Sequence, residues 1–154
     1  MSRMFKSIDK TWNVFCGCLF TCSYCNARKA ALTRFKHIPR YKDGFKPHLV
    51  GSELKRTFKP GQFIFIAYMG DIAFALDYEV NEILHRIYQF PDTYFLLQSK
   101  NPSCFHKWQV SLPTNIRLGT TIETTTWLKH RLLLNALGSS QVIPTISSSY
   151  PLSQ

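Results

Sequence analysis

Four short apolar runs recur along the first 124 residues, and turn-forming or polar residues bound each of them. A continuous apolar run of this length is typical of a strand that is buried on both faces of a sheet. The pattern therefore predicts four strands, over residues 12–16, 63–67, 94–97 and 116–121.

Helical patterns separate these strands. The strongest begins at Asp77, which we expect to be the N-cap, because apolar side chains then recur at helical spacing. Its members are Val80, Ile83, Leu84, Ile87 and Tyr88. Weaker patterns predict helices over residues 26–35, 52–56 and 103–108. Alternating strands and helices with fully apolar strands indicate an α/β fold with about four parallel strands, either an open sheet or part of a (βα) barrel.

The last part of the chain does not continue this alternation. No acidic residue follows Glu123, and the sequence runs through Leu132-Leu133-Leu134 into serine-rich stretches. We expect residues 1–124 to form the folded part, and residues 125–154 to be an atypical tail that is non-native to the fold or disordered. The alternative is a divergent C-terminal helix over residues 127–137 followed by a loose end.

Composition indicates an ordinary globular chain. Its 154 residues fit one domain, and 45% hydrophobic residues supply enough apolar material for a core. No apolar run reaches the length that a membrane span needs, so we expect no membrane association. Four of the five cysteines fall within residues 16–25, a density typical of a metal site in a reducing compartment. We therefore expect a cytoplasmic protein.

Positive charge is concentrated in one segment, which begins at Arg28 and ends at Lys59. The chain carries a formal charge of +10, and this segment holds ten Lys or Arg residues against only Asp43 and Glu53. Such a segment is either a solvated basic face or a surface that binds polyanions, and charge alone does not decide between the two. Nucleic acid is therefore one candidate partner.

The densest chemistry lies in the cysteine loop, residues 17–25. Cys18, Cys22 and Cys25 form the spacing CxxxCxxC, which lets one loop surround a small metal cluster with three thiolates. Three protein ligands leave one metal position open for a substrate or cofactor. Cys16 is an alternative fourth ligand, because in an extended strand its side chain points to the same side as that of Cys18. A zinc site with all four thiols is therefore the competing hypothesis.

The same spacing after a first strand resembles the radical S-adenosylmethionine (SAM) enzymes. The stretches Thr11-Trp12-Asn13 and Cys22-Ser23-Tyr24-Cys25-Asn26-Ala27-Arg28 resemble more closely a phage-associated and bacterial family of uncharacterised radical-SAM-like proteins. Residues 64–71, 95–102 and 118–124 look like the next three strand-end motifs of that family. The resemblance spans about residues 11–124.

This resemblance implies a cofactor set and a chemistry. Cys18, Cys22 and Cys25 would bind a [4Fe-4S] cluster, and S-adenosyl-L-methionine would bind to its open iron. Reductive cleavage, with electrons from an external donor, would then give methionine and a 5'-deoxyadenosyl radical. The residues that would contact the cofactor are Tyr24, Met69, Gly70, Asp71, Ser99 and Glu123. A strand-to-helix turn that Asp71 caps would give the same local sequence.

The resemblance also implies a larger fold than four strand and helix units. Radical SAM cores usually have six such units, so we expect a partial barrel from a truncated or disrupted chain. The substrate is not identified. Three functions remain open: a radical SAM enzyme, a zinc-stabilised nucleic-acid-binding module that uses the basic segment, and an inactive remnant.

Overall fold

The computed structural model describes residues 6–122 and 142–146. Its strands are β1 (Lys10–Trp12), β2 (Phe15–Cys16), β3 (His48–Leu49), β4 (Phe63–Ile66), β5 (Tyr94–Ser99), β6 (Ile116–Ile122) and β7 (Val142–Ile146). Its α-helices are α1 (Asn26–Leu32) and α2 (Asp77–Tyr88), and short 3-10 helices span Pro39–Tyr41, Gly51–Lys55, Ile72–Phe74 and Pro102–Ser111.

A parallel sheet organises the described residues. The strands lie side by side in the order β1-β4-β5-β6-β7, and every neighbouring pair is parallel. Trp12 lies opposite Ile66, Ile66 opposite Leu97, and Leu97 opposite Leu118. The predicted α/β class with a parallel sheet is confirmed. The five strands of this sheet point the same way, so the residues that follow them meet along one edge.

The prediction of one strand over residues 12–16 is wrong. The chain leaves the sheet after Trp12, and Phe15–Cys16 pairs instead with β3 in a small antiparallel ribbon. Hydrogen bonds hold this departure in place: Ala67 N donates to Trp12 O at 2.8 Å, and Val50 N donates to Val14 O at 2.7 Å. The two pieces resemble one buried strand in the sequence because Trp12 and residues 14–16 are all buried, although in different surroundings.

The main core lies between one face of the sheet and α2. Trp12, Ile66 and Leu97 are essentially inaccessible, and they pack with the apolar face of the helix. That face consists of Val80, Ile83, Leu84 and Ile87, as the helical spacing predicted, whereas Tyr88, which the spacing also placed on this face, is exposed. Trp12 also donates its indole N–H to Glu53 O at 2.9 Å, which satisfies the polar atom of this buried ring.

The N-terminus of α2 differs by one residue from the prediction. Asp77 is the first helical residue, and Leu76 is the N-cap. Glu79 supplies the stabilising contacts instead: its Oε2 accepts from Leu76 N at 2.9 Å, and its Oε1 accepts from Leu49 N at 3.1 Å. This carboxylate joins the start of the helix to β3, so its two hydrogen bonds account for its burial.

A fifth parallel strand, β7, lies within the segment that we expected to be an atypical tail. It pairs with β6, with Leu118 opposite Val142 and Thr120 opposite Pro144. The remaining residues of that segment lie outside the described part of the chain. The hydrophobic pattern did not predict β7, because a proline in the middle of a short run argues against a central strand. Proline is acceptable here because β7 is at the edge of the sheet in the described part of the chain.

Candidate functional site

Gly17 fixes the start of the cysteine loop against the end of β4. Its N–H donates to Met69 O at 2.9 Å, and its carbonyl accepts from Asp71 N at 3.1 Å. Gly17 has a φ of +86°, and a Cβ at this position would lie 2.0 Å from Lys46 O. Only glycine fits such a backbone contact. A Cβ on Gly70 would likewise lie 2.9 Å from Gly17 O, so the two glycines permit the close approach.

The three predicted cluster ligands are partly buried free thiols. Cys25 is the N-cap of α1, and its Sγ accepts from Arg28 N at 3.3 Å. Cys18 Sγ accepts from Phe20 N at 3.3 Å. Backbone N–H groups that point at sulfur favour the thiolate form, which is the form that binds metals.

Cys18 lies within electrostatic range of Asp71. Burial, with smaller contributions from the negative charges of Asp71, Cys25 and Cys22, raises the pKa of Cys18 to about 11, although the hydrogen bond from Phe20 N opposes this effect. This combination keeps the isolated thiol protonated at neutral pH. A positively charged metal centre would reverse this effect, because it stabilises the thiolate directly.

The thiols are not gathered into a formed metal site. Within residues 6–122 and 142–146, no three His, Cys, Asp or Glu side chains lie close enough together to hold a metal ion. The loop therefore brings Cys18, Cys22 and Cys25 to one place in the fold without drawing their sulfurs around a common centre.

Cys16 belongs to the core. Its side chain is fully buried, and its Sγ lies 3.6 Å from Tyr41 Oη and 3.6 Å from Asn13 O. Burial raises the pKa of the Cys16 thiol. The expectation that it points to the same side as Cys18 assumed an extended backbone, and the positive φ of Gly17 breaks that extension. Cys104 is also buried, within the main core, as expected of an apolar packing residue.

Asp71 joins the ends of β4 and β5. Its Oδ1 accepts from Ser99 Oγ at 2.6 Å and from Ala73 N at 3.0 Å, and its Oδ2 accepts from Lys100 N at 3.0 Å. Burial raises its pKa, although these three donors oppose that effect. Asp71 also caps the 3-10 helix Ile72–Phe74. Within the protein, Asp71 therefore makes the contacts of a capping residue, which was the alternative to cofactor binding in the sequence analysis.

Tyr24 and Lys100 connect the cysteine loop to the end of β5. The Lys100 ammonium donates to Tyr24 Oη and lies 4.7 Å from the centre of the tyrosine ring. Ser99 donates to Asp71 and accepts from Asn101 N at 3.0 Å, so this hydroxyl is part of the same strand-end network. Met69 is buried in a second core cluster with Cys16 and Tyr41. Glu123 lies outside the described residues.

Arg28 is a site residue that the sequence did not single out. Its guanidinium donates to Cys18 O at 2.9 Å and to Phe20 O at 2.8 Å, and it lies 5.6 Å from the centre of the Phe45 ring. The sequence gives no local signal for this role, because it depends on how the loop passes back over the first turn of the helix. Arg28 therefore holds the first half of the loop against α1.

Comparisons with protein-family models, with curated proteins and with solved structures returned no match for this chain. The resemblance to radical SAM enzymes therefore stays a prediction from the motifs. In the part of the chain that the structure describes, no helix combines the length and the apolar character that crossing a membrane requires.

Proposed function

We propose that this chain is a radical SAM-type protein, in which Cys18, Cys22 and Cys25 hold a [4Fe-4S] cluster beside bound S-adenosyl-L-methionine. One observation carries the proposal: the CxxxCxxC loop directly follows β2, and Gly17 at its start forms a parallel bridge with Gly70, just beyond the end of β4 in the parallel sheet. Cofactor sites of α/β proteins lie at this edge of the sheet, where residues from several strands meet.

The donor set is chemically suited to an iron-sulfur cluster. All three residues are free thiols, and two of them already accept backbone N–H groups, which tune sulfur ligands in such sites. Cys16 is occupied by Tyr41, so the loop supplies three ligands and leaves one iron without a protein partner. The three sulfur atoms do not surround a common centre, which is consistent with a loop that rearranges when it binds its metal.

When bound, the cluster supplies the electron that cleaves the sulfonium of S-adenosyl-L-methionine, which gives methionine and a 5'-deoxyadenosyl radical. The residues of the chain itself position the strand ends, the cysteine loop and Tyr24. Asp71 fixes the ends of β4 and β5 through three accepted hydrogen bonds. Arg28 fixes the loop from the helix side, and Lys100 fixes Tyr24. The carboxylate of Asp71 accepts up to about four hydrogen bonds, so it retains capacity for the methionine ammonium.

The remaining parts of the proposal follow from this chemistry. In this proposal the parallel sheet is part of a (βα) barrel of the radical SAM type. An external electron donor must reduce the cluster, and free thiols with an oxygen-sensitive cluster suit a cytoplasmic location.

Anaerobic reconstitution with ferrous iron and sulfide tests the cofactor. We expect about four irons and four sulfides per chain, with broad visible absorbance that bleaches on reduction. Cys22→Ser should lose most of the bound iron. Cys104→Ala is the matched control, because it also removes one thiol but lies in the main core, and it should keep the iron.

A second comparison separates this proposal from its alternatives. Zinc without iron in the wild-type protein, lost on Cys16→Ala, would contradict the iron-sulfur hypothesis and support a four-thiol zinc module. Cluster-loaded protein is then incubated with dithionite and S-adenosyl-L-methionine. Formation of 5'-deoxyadenosine is the expected result, whereas a loaded cluster without this product would identify an inactive remnant.

A further inference from the structure

A large groove lies between α1 and the edge of the sheet that β1 forms. It has a volume of about 860 Å³ and is open to solvent. Its walls come from the edge strand β1, from α1 and the residues that follow it, and from the end of β4. Met69 and Asn26 both line it, and Asn26 directly follows Cys25, so the groove adjoins the cysteine loop.

The walls of the groove carry a positive charge. Lys10, Arg34, Arg40 and Arg56 line it, against the single carboxylate of Asp9. Asp9 already accepts from Phe63 N at 2.8 Å. Glu53, which is not part of the lining, pairs with both Arg40 and Arg56, at 3.1 and 3.5 Å. One carboxylate shared between two guanidiniums leaves the wall positive, so it attracts an anionic ligand.

Aromatic rings lie among these cations. Tyr68 is 40% exposed, and its ring meets Phe65 edge to face with the ring centres 5.9 Å apart. Phe35 stacks on Tyr41, and the Arg34 guanidinium lies 5.3 Å from the centre of the Phe35 ring. Cations that follow a phosphate backbone, combined with ring faces on which bases stack, are the two elements of single-strand recognition.

We propose that this groove binds single-stranded nucleic acid, with phosphates on Lys10 and Arg34 and an unpaired base on Tyr68. A duplex does not offer free base faces to such a ring, which favours the single strand. The inference rests on the proposed function in one respect: because the groove adjoins the cysteine loop, a strand bound there would be the substrate of that site. The binding itself does not require the cluster.

Fluorescence anisotropy with labelled oligonucleotides tests the groove. The probes are oligothymidylate and oligouridylate of about twelve nucleotides, which suits a site of this kind, and a duplex of the same length. The double variant Lys10→Glu/Arg34→Glu should bind either single strand at least about 10-fold more weakly. The slope of its binding constant against salt concentration should fall by the equivalent of about two phosphate contacts.

The matched control is Lys29→Glu/Lys36→Glu. Both lysines belong to the same basic segment and are exposed, but neither lines the groove, and the change in net charge is identical. The control should bind within about 3-fold of wild type. Equal weakening of the two double variants, or a duplex that binds as tightly as the single strands, would overturn the proposal.

Tyr68 tests base stacking separately. Tyr68→Ala should weaken binding about 10-fold, and Tyr68→Phe should keep it near wild type, because stacking needs the ring and not the hydroxyl. Unchanged binding by Tyr68→Ala would overturn the stacking contact. Cys22→Ser should bind the oligonucleotides normally, and Lys10→Glu/Arg34→Glu should load iron normally. Oligonucleotide binding therefore tests the groove, and iron content tests the cluster, so that the failure of one proposal is distinguishable from the failure of the other.

Discussion

Replacing Gly17 with alanine is expected to destabilise the protein by about 2–5 kcal/mol. A non-glycine residue in the left-handed region costs about 1–2 kcal/mol. In addition, the new Cβ would lie 2.0 Å from Lys46 O and 2.6 Å from Pro47 N, so backbone must move. Overpacking of this kind adds about 1–3 kcal/mol. Urea unfolding followed by circular dichroism measures the loss.

Gly61→Ala is the matched control for this result. Gly61 has a similar φ of +75°, but a Cβ there would meet nothing within 4 Å. It should therefore show only the conformational cost, about 1–2 kcal/mol. Similar losses in the two variants would mean that the contact between Gly17 and the Lys46–Pro47 backbone does not constrain the fold.

Removing the Asp71 carboxylate is the second large effect. Asp71→Ala leaves three donors without their acceptor, namely Ser99 Oγ, Ala73 N and Lys100 N. Buried donors that lose a partner cost about 1–3 kcal/mol each, and entry of water offsets part of this, so we expect a loss of about 2–4 kcal/mol in unfolding free energy.

Two further variants define the source of that loss. Ser99→Ala removes one of the three donors to Asp71 together with the acceptor of Asn101 N, so it should cost about 1–2 kcal/mol, less than Asp71→Ala. Asp77→Ala removes an exposed carboxylate from the first turn of α2 and should cost less than about 1 kcal/mol. If Asp71→Ala were no worse than Asp77→Ala, the network at the strand ends would not stabilise the fold.

The pH dependence of stability checks the Asp71 environment independently. Burial raises its folded-state pKa above the ordinary value of 3.8. The folded protein therefore holds this proton more tightly than the unfolded chain, and the resulting stabilisation is complete below the unfolded-state pKa. It is lost as the pH rises through the folded-state pKa. The stability of wild type relative to Asp71→Asn should fall over that interval, and a rise would contradict the predicted direction.

The sequence was most informative where burial and periodicity agree. The runs that became β4, β5 and β6 are apolar because both faces of the sheet are covered, and the spacing after Asp77 reflects one helix face on the core. The break after Trp12 was not predictable, because its cause is pairing with residues far along the chain. Phe15 and Cys16 are buried against β3, and burial in a ribbon gives the same apolar pattern as burial in a sheet.

The candidate site shows the same division. The cysteine spacing identified the loop as a candidate metal site. The position of Asp71 after a strand identified this residue as part of the same site. The burial of Cys16 beside Tyr41 depends on the path of the chain at Gly17, whose backbone lies against Lys46 and Pro47. The role of Arg28 depends on the path of the loop in three dimensions. Contacts of this kind leave no local pattern in the sequence.

The contacts that hold the start of the cysteine loop have a consequence for the order of folding. Gly17 is held by Met69 and Asp71, and Trp12 lies opposite Ile66, so each of these contacts joins the start of the chain to its middle. Contacts between residues distant in sequence form late, because a long loop must close first. During synthesis the three thiols therefore emerge well before β4, and the fold can position them only after that strand has been made.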